Sequence, residues 1–429
     1  MHTVHGTFLL AALMKTHSLH LLIITLLLSG CATDNAAIKP VVAAKKPAMQ
    51  HSAKKHGICA DAKAPPLSQC SETVTATFDS KGTLWIVWVN NDWLYVQSSA
   101  DKGRSYSAPV RVNATPEAVA AQNESRPKIK VDAQGHIYLS WVQTLDKKRS
   151  TYVRFSRSTD GGQHFSTPVT VNDNLEIIRH RFDSLALGQH GEILVAWLDA
   201  RHTEAAKKTQ QEFDGLSLYY AWSDDGGQHF YPNKKIADHT CECCRLDTAI
   251  NQHNLPVIAW RHIFEGGIRD HAVVTFTDWN TPSDINPLGQ ENWKIDACPH
   301  HGPGLAIAAT GVYHAVWFSN AETKQGLFYG YSTDAGESFS APINFAGAGA
   351  SHPHVLALGA RVGVVWQAFD GKKNSVQFMQ STDAGKTWAK PVTVAQSTEM
   401  LDEPFLVSDG QQLYLSWHAL QQEYQLTLL

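Results

Sequence analysis

The 429-residue sequence predicts an all-β fold built from a repeated antiparallel unit, and three observations support this prediction. A short turn pattern recurs five times along the chain. Seven alternating apolar strands each end in a tryptophan. The composition, with 29 Gly, 18 Pro, 13 Trp and only 18% charged residues, is typical of many short strands joined by turns, and no helical period is sustained. We therefore expect one large all-β domain rather than several domains.

The turn pattern has the form Ser, any, Asp, any, Gly, any, any, aromatic, as in residues 158–165. Its Ser and Asp side chains can bond nearby backbone N–H groups, its Gly can adopt a positive φ, and its aromatic ring can fold back onto a sheet. A short Pro-containing segment follows the copies, which suits an outer edge strand because Pro cannot donate to a ladder. The five copies begin at Ser99, Ser158, Ser223, Ser332 and Ser381.

These copies resemble the Asp-box, or bacterial neuraminidase repeat, of the sialidase superfamily, whose fold is a β-propeller. The intervals between the strand-ending tryptophans are 53, 56, 63, 57, 49 and 51 residues, a period that suits one four-stranded blade. Seven four-stranded blades are therefore expected, with the six of sialidases as the alternative. The last repeat stops after three strands, so ring closure predicts that a strand near residues 55–72 completes the seventh blade. The seven tryptophans are Trp88, Trp141, Trp197, Trp260, Trp317, Trp366 and Trp417.

Residues 1–30 are predicted to be a lipoprotein signal peptide, with Met14 as the true start. Lys15 supplies a positive charge, residues 19–28 an apolar core, and Leu28-Ser29-Gly30-Cys31 the form of a lipoprotein cleavage site. An apolar run of this length is too short for the alternative, a membrane-spanning helix. The resemblance implies lipidation of Cys31 and anchoring on the exported side of a bacterial envelope membrane. Ala32 after that cysteine suggests the outer membrane.

Residues 31–70 are expected to form a flexible spacer, in which Cys59 and Cys70 can close a small disulfide loop. Residues 71–429 form the predicted propeller domain. Residues 205–211 are interpreted as an exposed loop tip. The net charge of −4, without a dense basic run, gives no indication of nucleic-acid binding.

Propeller topology predicts where a site should lie. In a four-stranded blade, the loop leading into the innermost strand and the loop leaving the second strand share one face, and the repeated turns lie on the other. Cysteine, histidine, arginine and carboxylate residues are concentrated in the first set of loops. One mouth of the central channel is therefore the predicted site.

The sharpest signal is Cys241-Glu242-Cys243-Cys244, followed by Cys298-Pro299-His300-His301. If blades four and five are neighbours, these thiols and imidazoles meet. Structural disulfides are one interpretation, because exported cysteines usually oxidise. A soft-metal site is another, because thiolates and imidazoles select Cu(I) or Zn, and a thiol catalyst is a third. The candidate metal ligands are Cys241, Cys243, Cys244, Cys298, His300 and His301.

A charged set at the same mouth suggests an anion-binding site, although any one arginine can instead form an ion pair between blades. The resemblance to sialidases implies an arginine triad, a Tyr nucleophile paired with Glu, and an Asp acid/base. The Arg-Ile-Pro motif of that family is absent; the nearest text is Ser125-Arg126-Pro127, and no nucleophilic Tyr can be placed at the mouth. The candidate ligand-binding residues are Arg126, Arg181, Asp199, Arg201, Arg245, Asp247, Arg261, Glu265, Arg269 and Asp270.

Two hypotheses follow. The first is a lipid-anchored binding protein whose channel mouth captures Cu, Zn or an anionic ligand such as a small glycan. The second is an exo-acting sialidase-type glycoside hydrolase on terminal acidic sugars. The missing motif and nucleophile favour the first, and a scaffold for another envelope protein is a third possibility.

Overall fold

The computed structural model describes residues 70, 71, 73–122, 124–146, 149–419 and 422–429. The predicted signal peptide, Cys31 and Cys59 lie outside these residues. Within the described part of the chain, no helix is long and apolar enough to cross a membrane.

The described residues form seven antiparallel sheets in a ring, which confirms the predicted seven-bladed β-propeller. Blade four has an additional short strand, and blade seven has three strands among the described residues. The strand expected to complete blade seven falls mostly on residues outside the description. Blades one to three are β1 Val74–Phe78, β2 Leu84–Asn90, β3 Trp93–Ser99, β4 Val110–Arg111; β5 Lys128–Val131, β6 Ile137–Thr144, β7 Thr151–Ser158, β8 Val169–Thr170; and β9 His180–Leu187, β10 Ile193–Asp199, β11 Leu216–Ser223, β12 Lys234–Thr240.

The remaining blades continue the same order. They are β13 Asp247–Ile250, β14 Pro256–Arg261, β15 His271–Asp278, β16 Thr281–Pro282, β17 Asn286–Pro287; β18 Gly304–Ile307, β19 Tyr313–Ala321, β20 Lys324–Ser332, β21 Ile343–Ala346; β22 Ala350–Leu358, β23 Arg361–Phe369, β24 Asn374–Ser381, β25 Val392–Ser397; and β26 Phe405–Ser408, β27 Leu413–Trp417, β28 Gln425–Leu428.

The first strand of each blade faces the central axis. Consecutive first strands contact one another all the way round, and β26 of blade seven contacts β1 of blade one, which closes the ring. These strands surround a channel cavity of about 540 Å³. Residues far apart in the sequence therefore meet at the same rim.

The repeated tryptophans hold neighbouring blades together. Each one packs in the interface between its own blade and the preceding one: Trp141 packs with Val87 of blade one, and Trp88 packs with Tyr424 of blade seven. Burying this large apolar area at every interface is the main force that keeps the ring shut. Five of the seven are at most 1% exposed: Trp88, Trp141, Trp197, Trp260 and Trp317.

The repeated turns join the third and fourth strands of their blades, as expected. In the second copy, Ser158 Oγ accepts a hydrogen bond from the Gly162 N–H at 2.9 Å, and Asp160 Oδ1 accepts one from the His164 N–H at 3.0 Å. The glycine at the fifth position has a positive φ in all five copies. The loops are therefore closed by local hydrogen bonds and support the scaffold.

Gly385, in the fifth copy of the turn, gives the first prediction. Its φ is +82°, and a Cβ there would lie 1.7 Å from Tyr329 Oη. Gly161, the fourth residue of the second copy, also has a positive φ, +71°, but a Cβ added to it would meet no atom within 4 Å. We expect Gly385→Ala to lower the free energy of unfolding by roughly 2–5 kcal/mol and Gly161→Ala by about 1–2 kcal/mol. Urea unfolding of both variants measures the difference, and equal losses would contradict the steric explanation.

One short helix departs from the sequence expectation. Residues 205–211 were expected to be a loop tip, but the helix α1 spans Arg201–Lys208, between β10 and β11. Ala and Lys favour a helix, Glu204 and Lys207 form an i,i+3 ion pair of 2.8 Å, and Thr203 Oγ1 donates to the Gly215 carbonyl at 2.7 Å. Lateral support from the neighbouring loop allows so short a helix to form.

Buried histidines make the stability depend on pH. His314 in β19 is fully buried, and burial lowers the pKa of its imidazole to about 4, against about 6.5 in the unfolded chain. Between those two pKa values only the unfolded chain takes up this proton. The contribution of the neutral imidazole to the free energy of unfolding is therefore complete above about pH 6.5 and is lost as the pH falls toward 4. The loss amounts to at most about 3 kcal/mol for this residue.

We therefore expect His314→Gln to flatten the pH dependence of the urea midpoint between pH 4.5 and 7. The exposed His253 serves as the matched position, and His253→Gln should leave the slope unchanged. An unaltered slope in His314→Gln would show that this imidazole is not linked to acid unfolding.

Candidate functional site

Three cysteines lie together where the chain leaves β12 and turns toward β13. Cys241, Cys243 and Cys244 are each at most 3% exposed, and their Sγ atoms form a triangle with edges of 3.6, 3.8 and 3.9 Å. These separations exceed the bonded S–S length of about 2.05 Å. All three are free cysteines, so the structure places thiols here rather than the disulfides that the sequence left open.

Two further donors approach this thiol triangle from the loop before β18. Cys298, which is also free, and His300 lie beside Cys243, and the three ligand atoms are all within 4.8 Å of one another. Cys243 therefore belongs to both groups. His301, the sixth candidate ligand, lies elsewhere: its ring contacts that of His352 in a tilted arrangement, with centroids 4.8 Å apart. Neighbouring blades four and five bring five of the six predicted donors together.

The three thiols differ in how readily they ionise. Hydrogen bonds from the Cys243 and Cys244 thiols hold the pKa of Cys241 well below its usual range, while the Cys241 acceptor raises the pKa of Cys243 and burial raises that of Cys244. Arg269 Nη1 donates to Cys241 Sγ at 3.6 Å and adds a positive charge beside the thiolate. These contacts favour a negative charge on Cys241 over one on Cys243 or Cys244.

A cavity of about 680 Å³ opens beside the thiols. Cys298 is exposed and lies in its wall. Both signs of charge are present around it, so the cavity admits polar ligands from solvent without a strong preference for one charge. Its charged lining residues are Arg149, Arg179, Glu204, Lys207, Asp214, Glu242, Arg269 and Asp296.

Several of the predicted ligand-binding arginines are occupied by the protein itself. Arg126 is 3% exposed and forms an ion pair with buried Asp402. Arg261 donates to the carbonyls of Arg269, His301 and Phe318 at 2.7–3.1 Å. These two guanidinium groups join loops of different blades and leave few donors for a ligand.

Some of the other predicted charged side chains bond to the protein, and others make no such bond with a described residue. Arg201 binds Asp199 through two hydrogen bonds of 2.9 and 3.0 Å. Asp270 is buried and Asp247 half-buried, and both accept backbone N–H bonds. Arg181 stacks on the Phe182 ring at 4.3 Å and forms no hydrogen bond or ion pair with any described residue. Glu265 is exposed in a single 3₁₀ turn, Glu265–Gly267, at the outer rim.

A second polar cluster lies on the channel axis. Glu124, Glu403 and His352 come from blades two, seven and six, and their ligand atoms are within 4.8 Å of one another. His352 Nδ1 is 3.3 Å from Glu403 Oε1 and 3.7 Å from Glu124 Oε1. Arg245, the last of the predicted arginines, has its Nε 3.8 Å from Glu124 and 3.9 Å from Glu403.

Burial and charge act in opposite directions on these groups. Burial raises the pKa of Glu403. For Glu124, burial is outweighed by His352 and Arg245, and the pKa of its carboxyl is lowered to about 2. Burial also opposes a charge on His352, but the two carboxylates raise its pKa. The axial cluster thus concentrates titrating groups that the sequence did not identify as a unit.

Glu124 is the residue that sequence reasoning missed. It lies two positions before Arg126, in the loop that leads into β5, which is the same position in its blade that Glu403 occupies before β26. A comparison of these corresponding loops would have found it. Its partners, however, depend on three separate blades.

The described residues thus form a seven-bladed β-propeller with polar loops at one mouth of its channel. No family model and no curated protein matches the chain. Among solved structures, an ulvan lyase from a new family of polysaccharide lyases is similar over 85% of this chain and 92% of its own, with 11% identity and a TM-score of 0.51.

Two other solved structures are similar to a lesser degree. A Hadza microbial sialidase is similar over 80% of this chain and 75% of its own, with 14% identity and a TM-score of 0.48. A leech intramolecular trans-sialidase is similar over 81% of this chain and 83% of its own, with 9% identity and a TM-score of 0.46. At 11% identity, the likeness to the ulvan lyase concerns the fold and not the activity.

Proposed function

We propose that the protein binds a soft metal ion, Cu(I) or Zn(II), at the mouth of its channel through Cys241, Cys243 and Cys244. The thiol triangle carries this proposal. Zn–S bonds of about 2.3 Å in a tetrahedral site put neighbouring sulfurs about 3.8 Å apart. The observed edges of 3.6–3.9 Å match that value. The three thiols are therefore arranged like one face of a tetrahedral site.

The surroundings support the same assignment. Cys298 and His300 offer a further thiolate or imidazole beside Cys243, and such donors select Cu(I) or Zn over hard cations. Arg269 stabilises the thiolate that a metal ion needs as its first ligand. The adjacent cavity gives an ion a route from solvent. On the predicted lipid-anchored chain, this capture takes place on the exported side of the membrane.

An anionic ligand can accompany the metal. The guanidinium of Arg181 has no hydrogen bond or ion pair among the described residues, and burial and the neighbouring Arg179 lower its pKa. A carboxylate on a small chelating molecule or glycan would find a guanidinium partner there. The metal ion and the anionic ligand would then bind at the same mouth of the channel.

The alternative, an exo-acting glycoside hydrolase, has weaker support. A sialidase-type mechanism needs arginines that are free to grip a substrate carboxylate, but Arg126 and Arg261 are engaged by Asp402 and by backbone carbonyls. Tyr219 Oη forms a hydrogen bond of 2.7 Å with His202 Nε2. Release of a chromophore from a panel of sialosides would nevertheless establish this activity directly.

The test of the metal proposal is elemental analysis of protein purified anaerobically, with free thiols counted on the same sample. We expect close to one Zn or Cu per chain and four reactive thiols after the metal is removed by a chelator. The triple variant with Cys241, Cys243 and Cys244 replaced by Ser should hold none, while His253→Ala, at an exposed histidine, should hold the wild-type amount. Metal-free wild-type protein that takes up neither ion would overturn the proposal.

A further inference from the structure

The axial cluster has a feature that the thiol site does not explain. Glu403 is 5% exposed, and neither oxygen of its carboxylate accepts a hydrogen bond from any described residue. A buried carboxylate without donors is strongly disfavoured, and buried polar groups in folded proteins are nearly always bonded. The His352 imidazole lies 3.3 Å away without forming a hydrogen bond, so the carboxylate can take a further partner.

Arg245 does not supply that partner. Its two Nη groups donate to the carbonyls of Pro303 and Pro353, so only Nε faces the carboxylates, and it lies beyond hydrogen-bond distance from both. Nε itself has no acceptor among the residues that the structure describes. The guanidinium therefore lowers the electrostatic cost of two close carboxylates without filling the space between them.

His352 completes a set of three donors around this space. Its Nδ1 faces both carboxylates and makes no hydrogen bond with a described residue. Glu124 differs from Glu403, because its oxygens already accept the N–H groups of Gly302 at 2.6 Å and Arg245 at 2.9 Å. Those bonds fix the Glu124 carboxylate and leave a lone pair on each oxygen.

We propose that Glu124, Glu403 and His352 bind a divalent cation of the first transition row, of the Mn(II) type. Two carboxylates and one imidazole form an oxygen-rich donor set with borderline character, which suits these ions better than Cu(I). The distances from Nδ1 to the carboxylates, 3.3 and 3.7 Å, are close to the separation of about 3.0–3.4 Å between ligands bound at about 2.1 Å.

The charges agree with a divalent ion. Two carboxylates and the Arg245 guanidinium sum to one negative charge, so a divalent cation leaves a small positive remainder rather than a large one. Glu124 and Arg245 line the channel cavity of about 540 Å³, which gives the ion a path. Because the three ligands come from blades two, six and seven, the bound ion ties together both sides of the point where the ring closes.

Mn(II) is the probe that separates this site from the thiol triangle, because carboxylate oxygens suit it and thiolates do not. The experiment is a titration of metal-free wild-type protein with Mn(II), in which electron paramagnetic resonance measures the free ion. We expect one Mn(II) per chain, and a thermal unfolding temperature that rises with Mn(II) concentration.

The variants assign the binding to these residues. Glu403→Gln and His352→Asn should each weaken Mn(II) binding by more than about tenfold; Asn tolerates the positive φ of 50° at position 352. Glu291→Gln is the matched control, since Glu291 is also 5% exposed but lies away from the axis and bonds Trp317. Cys243→Ser should bind Mn(II) like the wild type, which keeps failure of this proposal distinct from failure of the thiol proposal.

Two results would overturn the inference: wild-type protein that binds no Mn(II), or wild-type affinity in both Glu403→Gln and His352→Asn. Loss of binding in Glu291→Gln would equally point to another site. Circular dichroism establishes that each variant is folded, and if Glu403→Gln does not fold, His352→Asn decides.

Discussion

Replacing Cys243 by serine is expected to reduce the affinity for Zn(II) or Cu(I) more than any other single substitution at the channel mouth. Cys243 is shared by the thiol triangle and by the group with Cys298 and His300. Its loss therefore removes a ligand from either combination of donors. Losing only a hydrogen bond to a metal ligand costs about 10–100-fold in affinity, and losing this sulfur should cost more.

Cys298→Ser is the informative comparison. Cys298 is exposed and lies outside the triangle, so the three buried thiols remain and His300 can still take its place. We expect a loss of roughly tenfold or less. Competition against a chromophoric zinc chelator under anaerobic conditions ranks the variants, with His253→Ala as the control. Equal affinities for Cys243→Ser and wild type would mean that the metal, if bound, lies elsewhere.

The second large effect concerns the buried ion pair between Arg126 and Asp402. Their side chains are 3% and 4% exposed, and Arg126 also stacks on the Phe405 ring at 4.4 Å. Removing one partner leaves a buried charge without compensation, so Arg126→Met should lower the free energy of unfolding by about 3–5 kcal/mol. The pair joins blades two and seven, which is why the ring should be weakened as a whole.

The double variant Arg126→Met with Asp402→Asn should recover much of that loss, because no isolated charge remains. Arg104, which is exposed, provides the control: Arg104→Met should change the stability by no more than about 0.5 kcal/mol. Urea unfolding measures all three. If Arg126→Met is as stable as wild type, Arg126 is not structural, and its role as a gripping arginine for an acidic sugar returns.

The site illustrates where prediction from sequence stops. The positions of Cys241, Cys243, Cys244, Cys298 and His300 near one point followed from blade order. The oxidation state did not, because disulfides and free thiols share the same spacing. The thiol triangle of 3.6–3.9 Å depends on the tight turn at residues 242–243.

For the arginines, too, the sequence predicts the location but not the contacts. Six were expected at one mouth, and nothing in the sequence distinguishes Arg126, which is paired with Asp402, from Arg181, which has no partner among the described residues. An arginine becomes structural or available according to which acceptors the neighbouring blades bring within reach. That choice is made by packing.

The sequence alone determined the all-β class, the seven repeats and the face that carries the polar loops, because strand alternation, turn chemistry and tryptophan spacing are local properties of the chain. Only the tertiary structure decided which polar groups meet. Glu124, His352 and Glu403 are brought together on the axis by ring closure, and their burial then determines which of them is satisfied by the protein and which still needs a ligand.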